Sequence, residues 1–116
     1  MIKYGNHLLK SYHDKEDTYL KSSTLKSYVW SAQSHPPRDD SPYGLGWHLK
    51  FDKEKNIKYV YHTGGAVGAT TCLLIVPNDS NKHDVNGLVV SILCNSQDTR
   101  EIVKFALNIS EIFLKE

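Results

Sequence analysis

His62, Thr63, Gly64 and Gly65 follow directly on the apolar run Tyr59-Val60-Tyr61 and bring an imidazole, a hydroxyl and two bare backbone units to one spot. Glycine lets a ligand approach the main chain closely and adopts backbone angles that other residues resist. Acyl-transfer sites need such a wall: a free N–H aimed at a developing oxyanion, with a polar side chain beside it. The stretch reads as a strand running into a glycine-punctuated turn through Gly68. A histidine taken alone at a strand end is most simply a half-buried ring bonded to a backbone carbonyl. The two glycines that follow give the wall its chemical meaning.

Other reactive residues offer less. His7, His13, His35, His48 and His83 lack metal-ligand spacing such as His-Glu-x-x-His, so no metal site is expected. Gly64-Gly65-Ala66-Val67-Gly68 lacks the Gly-Lys-Ser/Thr ending of a phosphate loop, and no other cofactor motif is present. Cys72 and Cys94 each lie in an apolar run and read as free thiols acting as small hydrophobes. If their strands pair as a hairpin, the two become diagonal neighbours.

The elements that must position the wall are legible along the chain. Ile2 to about Ser11 predicts a helix, with Leu8 and Leu9 on its apolar stripe. Ser22 or Ser23 reads as the cap of a second short helix, with Leu25, Tyr28 and Val29 at helical spacing and Leu20 as a staple. Ser34–Pro42, with Pro36-Pro37 and Asp39-Asp40, is a loop. Four strands are expected near Gly44–Phe51, Ile57–Thr63, Thr70–Val76 and Leu88–Asn95, with polar turns at Asp52–Asn56 and Pro77–Asn86. Ser96 or Asp98 then starts a last helix whose stripe is Ile102, Phe105, Ala106, Ile109 and Phe113.

Both alternate sets in Leu88–Cys94 are largely apolar, as are those in Cys72–Val76, so the sheet calls for cover on both faces. The last helix supplies one cover, and only two short helices remain for the other. That balance favours part of a larger domain over a complete small one.

Composition bounds the function. The chain has 116 residues, 14 basic and 13 acidic, which fits one domain and leaves no basic footprint for nucleic acid. No apolar run approaches the length of a membrane span. Met1 enters an amphipathic segment at once, without the pattern of a signal peptide.

His62-Thr63-Gly64 resembles the third box of the serine β-lactamase and penicillin-binding-protein superfamily, usually Lys-Thr-Gly and often His-Thr-Gly in its class C-like branch. The surroundings fit the order of that family's C-terminal part. Tyr43-Gly44-Leu45-Gly46-Trp47 stands upstream, and Leu73-Leu74-Ile75-Val76-Pro77 and Gly87-Leu88-Val89-Val90-Ser91-Ile92-Leu93-Cys94-Asn95 follow. The run from His62 to Ala69 and the Cys94-Asn95 strand end resemble the mitochondrial serine β-lactamase-like proteins of animals. Lys3-Tyr4-Gly5-Asn6-His7-Leu8-Leu9 is similar to a helix between that family's second and third boxes.

The resemblance implies an α+β fold for residues 1–116: the C-terminal portion of a β-lactamase-like domain, with about four antiparallel strands, a C-terminal helix and two short N-terminal helices. It implies a serine hydrolase or peptidase, with a peptide or an acyl or amide small molecule as substrate of the full-length protein. Gly65 would offer its N–H to the oxyanion hole, and His62, Thr63 and Gly64 would contact substrate. Histidine in place of lysine puts binding of a β-lactam carboxylate in doubt. A mitochondrial location and self-association into filaments are likewise implied by resemblance alone.

The nucleophile is missing. Ser23-Thr24-Leu25-Lys26 and Tyr4-Gly5-Asn6 spell the family's Ser-x-x-Lys and Tyr-x-Asn, but in reversed order and too close to His62. Isolated, the chain is expected to form no acyl-enzyme. The alternative is a truncated isoform serving as a non-catalytic binding or assembly module.

Overall fold

A strand that is apolar on both faces can lie only in the middle of a layered structure, and the computed structural model places β3 there. It describes residues 1–33, 42–79, 86–97 and 100–115. Strands β1 (His48–Phe51), β2 (Ile57–Ala66), β3 (Ala69–Pro77) and β4 (Gly87–Cys94) form one antiparallel sheet in chain order. Helix α1 spans Ile2–Tyr12, and α2 (Ser22–Thr24) runs into a π-helical turn over Leu25–Val29. Helix α3 spans Ile102–Leu114. This is the α+β arrangement that the sequence implied.

Each face of the sheet has its own core, sorted by the two-residue alternation of the strands. Leu49, Val60, Leu73 and Ile75 pack against Leu8 and Tyr12 of α1 and against Leu25 and Trp30. Cys72, Leu74 and Val90 pack against Ile102 and Ala106 of α3. Among the described residues the two short helical segments cover Leu49, Val60, Leu73 and Ile75 on the second face. A bulge between Lys50 and Phe51 lets Ile57 join the α1 core while Tyr59 joins the α3 core.

Several boundaries differ from the sequence reading for physical reasons. Neither Ser22 nor Ser23 caps α2; the N-cap is Lys21, and Ser22 Oγ donates instead to Tyr12 O at 3.0 Å. Trp30 N–H donates to Leu25 O at 2.8 Å, and this wide turn carries one extra residue. Trp30 thereby takes the buried place, at 1% exposure, and Tyr28 swings out to 65%. β1 starts at His48 rather than Gly44, because Gly44 N–H donates to Trp47 O and closes a tight reversal.

Helix α3 begins at Ile102, after the chain turns at Arg100 and Glu101. Its contact stripe is Ile102, Ala106 and Ser110, where small side chains permit close approach to the sheet. Phe105 and Phe113 face outward at 66% and 62% exposure. The predicted loop over residues 34–41, most of the turn before β4, and Asp98 lie outside the described residues.

Cys72 and Cys94 are not joined by a disulfide and stand diagonally across β3 and β4, since Cys72 pairs with Ile92 and Thr70 with Cys94. Burial pushes the Cys72 thiol up to about 11. The Tyr12 phenol is pushed up to about 12, first by burial and then by its 3.0 Å bond to the Asp79 carboxylate.

Both groups are protonated more tightly when folded than when unfolded. Their stabilising contribution is therefore complete below the ordinary values of 9 and 10 and is lost as pH rises through 11 and 12. Urea midpoints should hold level to about pH 9 and fall above it. A midpoint still rising at pH 10 would contradict the assignment. Iodoacetamide should modify half-buried Cys94 well before Cys72, which should react only in denaturant; equal rates by mass spectrometry would contradict the burial.

Gly5 supplies a second test. A methyl there would lie 2.5 Å from Val89 Cγ1. Gly5→Ala should gain about 1 kcal/mol of helix propensity and lose about 2 kcal/mol to overpacking. The expected net loss is about 1 kcal/mol, reversed in a Val89→Ala background. A rise in Tm for the single variant would show that the contact is soft.

Candidate active site

Strand β2 is longer than β1. Their pairing ends at His48 opposite Tyr61, whereas His62 through Ala66 continue paired only to β3. The glycine pair thus lies inside a strand, not in the turn that the sequence suggested. Gly64 is opposite Thr71 and Gly65 opposite Thr70, and the reversal falls at Val67-Gly68, with φ of +77° at Gly68.

The direction of the free backbone groups follows from the hydrogen bonds of β1. Leu49 N–H donates to Pro42 O at 2.9 Å, and Trp47 O accepts from Gly44 N–H at 2.8 Å. At those residues β1 turns its polar groups away from β2. Alternation makes His48 face β2, so its partner Tyr61 faces β1. Two and four residues on, Thr63 and Gly65 present their N–H and C=O to the same side, beyond the end of β1. Among the described residues no strand pairs with that edge.

The glycines differ in what surrounds them. A methyl on Gly64 would meet Thr71 Oγ1 at 2.6 Å, while one on Gly65 would meet nothing within 4 Å. Gly64 is needed for sheet packing. Gly65 leaves its backbone bare to solvent.

Two clefts of about 380 Å³ each flank the edge and share Thr63 and Gly64. On the α1 side His62 is exposed and lines one cleft with Tyr4 and Trp47, whose rings stack at 6.4 Å. On the α3 side Gly65 and Thr70 border the other with His48, Tyr61 and Arg100. The His48 and Tyr61 rings stack at 4.8 Å, nearly parallel, and Tyr43 meets His48 edge-on. Among the described residues lining either cleft none is acidic, and Arg100 borders the second.

All four residues singled out in the sequence, His62, Thr63, Gly64 and Gly65, sit at this edge. Thr70 joins them from the next strand of the same hairpin, and Tyr4 and Arg100 from distant positions that no local pattern in the sequence announces. Tyr4 reaches the cleft only because α1 lies across the sheet, while Asn6 of the same three-letter match borders a different cleft.

Ser23 is exposed, and the Lys26 ammonium rests 4.0 Å above the Tyr12 ring, in another cleft beside Asp79. Neither belongs to the wall. The described hydroxyls that line the two clefts belong to Thr63, Thr70, Thr71, Tyr4 and Tyr61, with no lysine or carboxylate alongside to take a proton. The described residues contain no cluster of three or more metal-ligating side chains, and no helix among them is long and apolar enough to cross a membrane.

Known proteins resemble this chain over most of its length. It is 30% identical over 121 aligned positions to the mitochondrial serine β-lactamase-like protein LACTB of mouse. The cattle protein of that name is 31% identical and the human one 29%. In each case 84% of this chain is covered. The chain belongs to the serine β-lactamase-like superfamily. It spans 22% of the length of each of these relatives. No protein-family model matches it.

For this β-lactamase-like chain the two glycines should respond differently to the same change. Gly65→Ala should alter stability by less than about 0.5 kcal/mol. Gly64→Ala should cost about 1–2 kcal/mol, most of it recovered in Thr71→Ala. Equal urea midpoints for the two single variants would refute the distinction.

Proposed function

We propose that this chain carries one wall of an acyl-serine hydrolase site whose nucleophile comes from a stretch of a longer protein outside these 116 residues. The open β2 edge at Thr63 and Gly65 carries this reading. In such a site a serine oxygen attacks the carbonyl carbon of a peptide, ester or amide, and the carbonyl oxygen gains negative charge. Gly65 N–H lies on an edge that no strand among the described residues pairs, with no side chain to fend off the substrate, so it can donate to that oxygen. One such donor is worth about 10²–10³ in turnover where it has been removed from related chemistry.

Thr63 and Arg100 border the same cleft and would hold a polar or anionic group of the substrate beside the reacting carbonyl. His62 and Tyr4 would close the opposite side, where an imidazole replaces the permanent charge of a lysine. The wall alone can bind but cannot form a covalent intermediate.

A second reading rests on the outward Phe105, Ile112 and Phe113 of α3, all more than half exposed. An apolar surface of that kind fits a non-catalytic module that assembles with itself or with a partner. Sedimentation showing a monomer at every concentration, with no partner captured, would remove it.

Intact-mass spectrometry after incubation with a fluorophosphonate probe tests the hydrolase reading. No adduct is expected on the 116-residue chain, and a stoichiometric adduct is expected on a longer protein that adds Ser-x-x-Lys upstream. An adduct on Ser23 that disappears in Lys26→Ala would overturn the assignment and make this chain a hydrolase by itself.

A further inference from the structure

Away from the β2 edge, the outer face of α1 gathers positive charge that the rest of the fold does not use. Lys3, His7 and Lys10 recur at i, i+4 and i+7 and so share one side of the helix. Asn6, His13 and Lys15 line the same cleft, of about 400 Å³. The Lys15 N–H donates to Lys10 O at 3.0 Å, and His13 Nε2 donates to Asn86 O, which ties the end of α1 to the start of β4. These bonds hold the cleft's lining in place.

The charge balance there is unusual for this chain. Helix α1 contains no acidic residue, although the whole chain is nearly balanced at 14 basic against 13 acidic. Asp14, Glu16 and Asp17 follow closely but do not line the cleft. Among the described residues Lys3, Lys10 and Lys15 have no carboxylate partner, whereas Lys104 and Lys115 do. Lys3 and Lys10 stand two turns apart on α1 with the His7 ring between them. His7 Nδ1 is buried without a partner among the described residues, its ring set against Tyr19 at 4.3 Å.

We propose that this cleft on α1 binds a phosphate-bearing anion through Lys3, Lys10 and Lys15, with His7, His13 and Asn6 as further hydrogen-bonding groups. Several compact ammonium charges spread along a cleft match a multivalent oxyanion better than a single carboxylate. The volume accommodates a pyrophosphate or a phosphate ester. The exposed Tyr19 meets the His7 ring and the exposed Ile2 precedes Lys3 in α1, so the phosphate can belong to a free molecule or to a lipid headgroup. This role is independent of the hydrolase wall.

The test uses the full 116-residue chain at low salt, with inorganic pyrophosphate followed by calorimetry and phosphatidylglycerol vesicles followed by co-sedimentation. Pure phosphatidylcholine vesicles serve as the blank. Lys3→Gln, Lys10→Gln and Lys15→Gln combined should weaken binding about a hundredfold, or about fivefold per lysine. Lys53→Gln, Lys58→Gln and Lys104→Gln remove the same charge elsewhere and should weaken it less than about threefold. Thermal unfolding of both triple variants checks that they fold.

Pyrophosphate binding that is lost only in the α1 variant supports a free phosphate compound. Binding confined to phosphatidylglycerol vesicles, and lost in the same variant, supports a lipid headgroup. Failure of both probes, or equal losses in the two triple variants, overturns the proposal.

Discussion

Strand β3 loses water on both faces at once, and the other elements are arranged around that requirement. Cys72, Leu74 and Ile75 are fully buried, the first two under α3 and the last under α1. An apolar strand of this kind must have neighbours on both edges and layers on both sides. β2 and β4 take the edges. Helix α3 takes one side, and α1 with the π-helical turn takes the other. Trp30 completes the second side, meeting Tyr12 at 5.9 Å and Trp47 at 6.1 Å in an aromatic cluster beneath the sheet.

The same cluster decides where the sheet stops. Trp47 is buried in it and sits at the end of the reversal that Gly44 closes, so β1 enters the sheet only at His48. A methyl on Gly44 would lie 2.4 Å from Val29 O, so this turn is wedged against the end of the π-helical segment. β2 consequently outruns its neighbour. The exposed backbone at Thr63 and Gly65 is thus a by-product of core packing some distance away, a useful way to keep an unpaired edge short and local.

Helix α1 separates two chemistries. Tyr4 points toward the strand edge, beside His62, while Lys3 and Lys10 line a cleft on the outer side. Gly5 between them is buried against Val89, which brings the helix axis close to the sheet. One short amphipathic segment therefore anchors the core, closes one side of the candidate site and presents a cationic surface.

The order of residues by itself marked the four strands, as apolar runs bounded by polar turns, and the three helical regions, because burial leaves its pattern along the chain. It also marked His62, Thr63, Gly64 and Gly65, since bare backbone beside a polar side chain has few uses. Residue types could not say which apolar residues would be left outside. Phe105 and Phe113 of α3 fit the stripe as well as Ala106 does, and only the close approach of helix to sheet selected the small side chains. Tyr28 yielded its place to Trp30 because one turn widened.

The edge itself, the direction of its N–H groups, and the arrival of Tyr4 and Arg100 beside it were decided by tertiary structure. They depend on strand register and on where β1 ends, which long-range packing sets. A local stretch of sequence records what a residue can do. Its neighbours across the fold decide whether it is left free to do it.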